Sequence, residues 1–185
     1  MNEQEDIFDL RISALENEFG KMDEEVINAL IPYELGYDLG GSPHVYFFSN
    51  HIRGVVCITA GMISAEQKPS DAGNFEFMMA FKEKNDFGPD LMCPLSYYTQ
   101  TASINSGETM GLPEDMTKGS NIKAILFDSY RTFKVGSIRA GVMLIIGITE
   151  SELQYKVKNG GKKLIKKLKD QNVYPYTDFN RESIV

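Results

Sequence analysis

A continuous apolar segment near the C-terminus is the clearest structural signal in the sequence. It runs from Gly141 to Ile148 without polar alternation, and it is too short to cross a bilayer. Such a segment predicts a strand that is buried on both faces in the centre of a sheet. Thr149 to Glu152 follow with the S/T-x-x-E spacing of a capping box, so a helix is expected to begin at Thr149.

The residues after this cap predict an amphipathic, lysine-rich helix with a break in it. An apolar stripe from Leu153 to Leu168 is interrupted by Gly160 and Gly161, each of which costs about 1 kcal/mol relative to alanine in a helix interior. Pro175 then prevents the helix from continuing into the tail. The polar face carries Lys156, Lys158, Lys162, Lys163, Lys166, Lys167 and Lys169. We interpret it as a solvated face, with an anionic-partner surface or a membrane-surface helix as alternatives.

The rest of the chain contains short strand and helix signals. Apolar residues at helical spacing predict a helix over 6–19, ended by Gly20, and a helical turn from Asp23 through Leu30. A second helix is predicted over Pro89–Ile104, and a connecting segment over 131–138. Alternating or β-branched residues predict strands at Tyr33–Leu39, Val45–Phe48, Ile52–Met62, Phe75–Phe81 and Ile122–Asp128.

The order of these elements predicts the fold class. Strands and helices are interspersed without regular alternation, which favours an α+β domain with a mixed, mainly antiparallel sheet packed with helices. The length of 185 residues, with 42% hydrophobic and 24% charged residues, suits a single domain over 1–185. Residues 1–32 are expected to be its helical N-terminal segment.

Charge is distributed unevenly along the chain. Residues 1–38 hold eleven acidic and two basic side chains, a local net of −9, whereas 151–185 have a net of +4 within a total of −7. An acidic surface disfavours nucleic-acid binding and suits a basic partner. The acidic first residues fit neither a secretory signal nor a transit peptide, so we expect a cytoplasmic protein that does not associate with membranes.

Several short segments from residue 33 onwards occur in a recognisable order. They are Tyr37–Gly41, Ile58–Ser64, Phe75–Phe77, Thr149–Leu153 followed by Asn159-Gly160, and Thr177-Asp178 followed by Arg181 and Ser183. In this order they resemble the suppressor-of-fused domain family, with this chain as a divergent, single-lobe, bacterial-type member over 33–185. The chain departs from the family pattern at Gly54–Cys57, which replaces an aromatic-rich segment, and it has no tryptophan.

The resemblance implies a non-enzymatic protein-binding module. Longer animal members of the family add a second lobe and sequester a transcription factor, whereas single-lobe bacterial members are interpreted as immunity proteins that neutralise toxins. For this chain it therefore implies an immunity-type protein that masks a cognate toxin, and the acidic surface would suit a basic toxin domain. The alternatives are a small-molecule-binding domain or enzyme of unknown reaction, or a general protein-interaction adaptor.

Residues with catalytic or metal-binding chemistry are sparse in this sequence. His44 and His51 are the only histidines, and no spacing adds ligands or an orienting group to them. Cys57 and Cys93 lack C-x-x-C and zinc-type spacing, and we interpret them as buried small hydrophobes. We therefore predict no catalytic, metal or cofactor-binding residue.

The sequence still contains a small set of candidates for a partner surface or a pocket. They are Tyr37, His44, His51, Asp178 and Arg181. We favour a structural role over ligand recognition for Asp178 and Arg181, because both can bond backbone groups or each other and tie down the tail. The partner surface is sought first in the acidic N-terminal segment and in the loops Gly40–Pro43 and Ser64–Asn74.

Overall fold

The structure, a computed structural model, describes residues 7–33, 37–64, 67–100 and 102–185. In these ranges the helices with described bounds are α1 Ile7–Phe19, α2 Phe87–Ser96, α3 Glu150–Asn159 and α4 Gly161–Asp170. The strands are β1 Val26–Ile27, β2 His44–Phe48, β3 Val55–Ala60, β4 Asn74–Phe81, β5 Thr109–Gly111, β6 Ile122–Val135 and β7 Ile138–Thr149.

The seven strands form one mixed sheet in the order β1-β2-β3-β4-β7-β6-β5. Every neighbouring pair is antiparallel except β4 and β7, which run parallel. The longest pairing is the hairpin of β6 and β7, which turns between Val135 and Ile138. The α+β class predicted from the sequence, with a mixed and mainly antiparallel sheet, is confirmed.

Both faces of the sheet are covered, because side chains of successive residues point to opposite sides of a strand. On β7, Met143 and Ile145 face a core that α2 completes, whereas Leu144 and Ile146 face a second core that holds residues of α1 and α4. From Ala140 to Thr149 every residue of β7 is buried. The prediction of a central strand buried on both faces is therefore confirmed.

The predicted helix start and break are also confirmed. Thr149 accepts a hydrogen bond from the backbone N–H of Glu152, whose side chain accepts from the backbone N–H of Thr149, and α3 begins there. The chain turns at Gly160, whose φ is +91°. Gly161 starts α4 against the backbone of Gly107, and a side chain there would overlap the Gly107 carbonyl. The break between α3 and α4 therefore allows the backbone of Gly161 to lie close to the backbone of Gly107.

Several predicted elements were wrong, and two of them are decided by strand pairing. The acidic segment after Asp23 forms no helical turn, because Val26–Ile27 pair with β2 as an edge strand. In the predicted strand Tyr33–Leu39, the residues Tyr37–Leu39 form a 3-10 turn, and 34–36 lie outside the described residues. The helix predicted over Pro89–Ile104 ends at Ser96 and gives way to a 3-10 turn. Pairing with β7 extends β6 to Val135, through the predicted connection.

Candidate functional site

A buried carboxylate holds the loop that follows β3. Glu76 on β4 is fully buried, and its Oε1 accepts hydrogen bonds from the backbone N–H groups of Gly61 (3.0 Å), Met62 (2.9 Å) and Ile63 (3.0 Å). Its Oε2 accepts a 2.7 Å hydrogen bond from the Thr59 hydroxyl. These bonds satisfy a charge that would be costly to bury alone. The conformation of the loop therefore depends on one side chain of the neighbouring strand.

This carboxylate also attaches α1 to the sheet. The Arg11 Nε lies 3.9 Å from the Glu76 Oε1, and both side chains are buried. Burial raises the pKa of Glu76, while Arg11 and the donated hydrogen bonds act to lower it. The Thr59 hydroxyl in turn accepts a 2.8 Å hydrogen bond from the backbone N–H of Phe77. The Thr59 and Glu76 side chains therefore stabilise the contacts among β3, β4 and α1.

A second buried network joins the start of α3 to the C-terminal tail. The Arg181 guanidinium donates to both oxygens of Glu152, at 2.5 and 2.6 Å, and to the Gly147 carbonyl at 3.0 Å. The Glu152 side chain is fully buried and also accepts from the backbone N–H of Ile184 at 3.1 Å. Arg181, a sequence candidate, is therefore engaged mainly within the fold.

The tail occupies the gap where β4 and β7 separate. Their pairing ends at Met78 and Leu144, and beyond it the backbone N–H of Thr177 donates to the Ala80 carbonyl at 2.9 Å. The Thr177 hydroxyl accepts a 2.9 Å hydrogen bond from the backbone N–H of Gly147. Thr177 thus replaces the missing bonds between the two strands.

Asp178 lies on the surface beside this junction. Its carboxylate accepts a hydrogen bond from the Lys82 ammonium at 3.1 Å, which together with the backbone N–H of Asn180 holds its pKa below the ordinary value. A depression of about 290 Å³ adjoins the pair and is also lined by Phe179 and Asn180. Asp178 and Arg181 both border a smaller depression of about 100 Å³. The surface at this end of the sheet therefore has shallow depressions, and the charged side chains of Asp178 and Arg181 both border one of them.

His51 lies at the same end of the sheet, in the turn between β2 and β3. Its Nε2 lies 3.1 Å from the Tyr130 hydroxyl, and its ring packs 4.6 Å from the Phe19 ring. Burial lowers the pKa of His51, and the nearby Arg131 lowers it further. This histidine contacts two aromatic rings in the contact region between α1 and β6.

His44 and Tyr37 lie elsewhere. His44 is the first residue of β2, and the four residue steps to Phe48 alone span about 14 Å. The His44 Nδ1 accepts a 3.3 Å hydrogen bond from the backbone N–H of Ala29, and Tyr37 belongs to the 3-10 turn that precedes β2. The structure therefore separates His44, at one end of the sheet, from His51, Asp178 and Arg181 at the other end.

The structure also reveals an exposed apolar surface that sequence reasoning missed. We call it the β1 surface, and its apolar side chains are Ile27, Leu30, Ile31 and Leu39. Glu24 and Asp38, which are close to these residues in the sequence, are also exposed. The signal for it in the sequence is the apolar segment from Val26 to Pro32, directly after acidic residues, most of which lies in the predicted helical turn from Asp23 through Leu30.

The cysteines, the possible metal ligands and the helix lengths indicate no further site among the described residues. Cys57 is a buried free thiol, as predicted, and Cys93 is a half-buried one. Burial raises the pKa of Cys57 to about 12. Within the part of the chain that the structure describes, no three His, Cys, Asp or Glu side chains are grouped to hold a metal ion. Among the same residues, no helix has both the length and the apolar character needed to span a membrane.

Suppressor of fused proteins are among the solved structures with this architecture. A homologue from Neisseria gonorrhoeae superimposes with a TM-score of 0.70 at 16% identity, covering 97% of this chain and 97% of that chain. Drosophila Suppressor of Fused gives 0.69 at 12% identity, with 96% of this chain and 50% of that chain covered. A chain of the Sufu–Fu complex gives 0.67 at 12% identity, with 96% and 90% covered.

Sequence comparison agrees with the structural similarity. No curated protein matched the chain. The profile of the Suppressor of fused protein (SUFU) family matches residues 45–182, which is well over half of the sequence. This range contains the central side chains of both buried networks, Thr59 and Glu76 in one and Glu152 and Arg181 in the other. The chain therefore belongs to the suppressor of fused family.

Proposed function

We propose that this protein is a non-enzymatic protein-binding module of the immunity type, which neutralises a cognate toxin by masking it. Family membership supports the general part of this proposal, because a structural relative was solved as a Sufu–Fu complex. The specific part rests on charge: a surface rich in carboxylates attracts a basic toxin domain, such as a nuclease-like one.

The observation that carries the proposal is the exposed acidic charge of the N-terminal region. Residues 1–38 have a net charge of −9, and the described carboxylates Asp9, Glu24, Glu25 and Asp38 are exposed. Complementary charge of this kind raises association rates and excludes partners of the same sign. A basic protein partner fits this surface better than an acidic one.

The placement of the candidate residues favours a protein surface over a small-molecule pocket. His44 lies at one end of β2, whereas His51, Asp178 and Arg181 lie at the other end of the sheet. Arg181 and Asp178 are already bonded to Glu152 and Lys82. Small-molecule sites usually gather their polar groups in one concave pocket. Here the polar groups stabilise the fold, and the outer surface remains for a partner.

The test is co-expression with the product of a toxin-like gene encoded nearby. The wild-type chain should rescue growth and co-purify with the toxin in a complex that weakens as salt increases. A double variant, Asp9→Lys with Glu24→Lys, should bind about tenfold more slowly at low salt. Absence of both rescue and complex for the wild type contradicts the proposal.

A matched control has the same change in net charge at a different site. Glu114 and Asp115 are exposed residues before β6, so Glu114→Lys with Asp115→Lys makes the same four-charge change away from the N-terminal region. This control should associate at the wild-type rate. If both double variants slow association equally, net charge rather than the N-terminal region attracts the partner.

A further inference from the structure

We infer that the β1 surface is the docking site for the partner, and that it receives a segment of the partner in which apolar side chains are flanked by Lys or Arg. The inference deepens the proposed function and rests on it. The surface combines exposed apolar side chains, an ordered backbone and acidic neighbours, and each of these features restricts the chemistry of the occupant.

The apolar side chains of the β1 surface are unusually exposed. Leu30 is 103% exposed and Leu39 is 75% exposed, while Ile31 and Ile27 are 39% and 37% exposed. Scattered exposed apolar residues are normal, but a group of them marks an interaction site. The backbone N–H of Ser42 donates a 2.9 Å hydrogen bond to the Ile31 carbonyl, and Ser42 forms a bridge with Pro32, so the segment that follows Leu39 joins the segment that carries Leu30. Three of the four side chains thus lie within five residues of one edge segment, and the fourth lies in the segment bonded to it.

The backbone that carries these side chains is held in place. Val26 and Ile27 pair with Tyr46 and Val45 of β2, and the Ala29 N–H donates to the His44 imidazole at 3.3 Å. Apolar anchors on an ordered scaffold lose little conformational entropy when they bind. His44, a sequence candidate, is thus a positioning residue for the β1 surface.

The charges around the surface specify a basic occupant. Glu24 and Asp38 are exposed, and Glu25 forms an exposed ion pair with Lys84. A partner with Lys or Arg beside its apolar anchors would pair with these carboxylates, whereas an acidic partner would be repelled. A second copy of this chain is less suitable, because its net charge of −7 opposes self-association.

The experiment uses a defined probe, a synthetic peptide in which leucine alternates with lysine. Two matched peptides replace lysine by glutamate or leucine by serine. Titration into the isotope-labelled protein, followed by NMR, should shift the backbone amides of 24–31 and 38–44 with the first peptide only. Leu30→Asp should weaken this binding at least about tenfold, equivalent to about 1.4 kcal/mol. Since Leu30 is fully exposed, the thermal midpoint of unfolding should not change.

Val157→Asp is the matched control, because Val157 is 72% exposed on α3 and lies outside the β1 surface. It should bind the leucine-lysine peptide as the wild type does. Equal binding by Leu30→Asp, equal binding of the glutamate peptide, or amide shifts elsewhere would overturn the inference. Sedimentation showing a wild-type dimer that Leu30→Asp dissociates would also overturn it, because the occupant would then be a second copy.

The same variants separate this inference from the proposed function. If wild type and Val157→Asp rescue growth from the toxin while Leu30→Asp does not, both are supported. If Leu30→Asp rescues as well, toxin neutralisation stands and the docking site is wrong. If the wild type fails to rescue, the immunity proposal is wrong, and the peptide titration still decides whether the β1 surface binds a basic, apolar segment.

Discussion

Arg181 forms a bidentate ion pair with Glu152, at 2.5 and 2.6 Å, across 29 positions of sequence. The same carboxylate completes the capping box of α3 by accepting from the backbone N–H of Thr149. Arg181 also donates to the Gly147 carbonyl on β7. One pair of side chains therefore connects a strand end, a helix start and the C-terminal tail.

Replacement of Arg181 by alanine is expected to destabilise the protein strongly. It leaves the fully buried Glu152 carboxylate without its counter-charge, a loss of about 3–5 kcal/mol for pairs of this kind. Chemical denaturation measures the change. The control is Lys82→Ala, which breaks the exposed pair with Asp178 and should cost less than about 1 kcal/mol. If both variants lowered the free energy of unfolding by similar amounts, the buried pair of Arg181 and Glu152 would contribute no more than an exposed pair.

Thr59→Val tests the network around Glu76. The variant preserves shape but removes the hydroxyl that donates to Glu76 and accepts from the Phe77 N–H. Both partners are buried, so we expect a loss of about 1–3 kcal/mol in the free energy of unfolding. Thr132→Val, on an exposed position of β6, should change it by less than about 0.5 kcal/mol. If Thr59→Val left the free energy of unfolding unchanged, the Thr59 hydroxyl would not stabilise this network.

Gly161→Ala tests the close approach between α4 and Gly107. Alanine would improve helix propensity by about 1 kcal/mol, yet its methyl group would overlap the Gly107 backbone. Overpacking of this kind should lower the free energy of unfolding by about 1–3 kcal/mol. Gly111→Ala, where a Cβ meets nothing within 4 Å, is the control and should be nearly neutral. A stabilised Gly161→Ala variant would show that the contact is loose.

His51 should make stability depend on pH on the acidic side of neutrality. Burial and Arg131 lower its pKa in the folded state below the ordinary 6.5, so the unfolded chain takes up the proton first. The free energy of unfolding should therefore fall as the pH decreases below about 6.5 and become level below the folded pKa. His51→Gln should have a shallower dependence between pH values of about 7 and 5.5, measured by denaturation. Identical slopes would mean that His51 titrates alike in both states.

The parts of the fold that could be predicted depend on local physical chemistry. The apolar run of β7 needs burial whatever its partners, and the Thr149–Glu152 box caps a helix through bonds within four residues. The glycines 160 and 161 oppose a continuous helix by their own conformational freedom. These features, with the order of short motifs, were sufficient to predict the α+β class and the family.

The parts that were missed depend on distant partners. Val26 and Ile27 become an edge strand only because β2 is available to pair with them. The long β6 exists because β7 runs beside it to the hairpin turn. Neither pairing leaves a periodic signal in the sequence. The positions of His44 and His51 at opposite ends of the sheet likewise depend on how β2 and β3 pair.

The sequence by itself determined the central strand, the capped helix, the acidic N-terminal region and membership of the suppressor of fused family. Each of these follows from side chains acting on their own neighbourhood, or from a family-specific order of motifs. Only the tertiary structure decided that Glu76, Glu152 and Arg181 form hydrogen bonds within the fold, and that Leu30 and Leu39 remain exposed. Burial and pairing are properties of segments far apart in the chain, so they emerge only when the sheet is assembled.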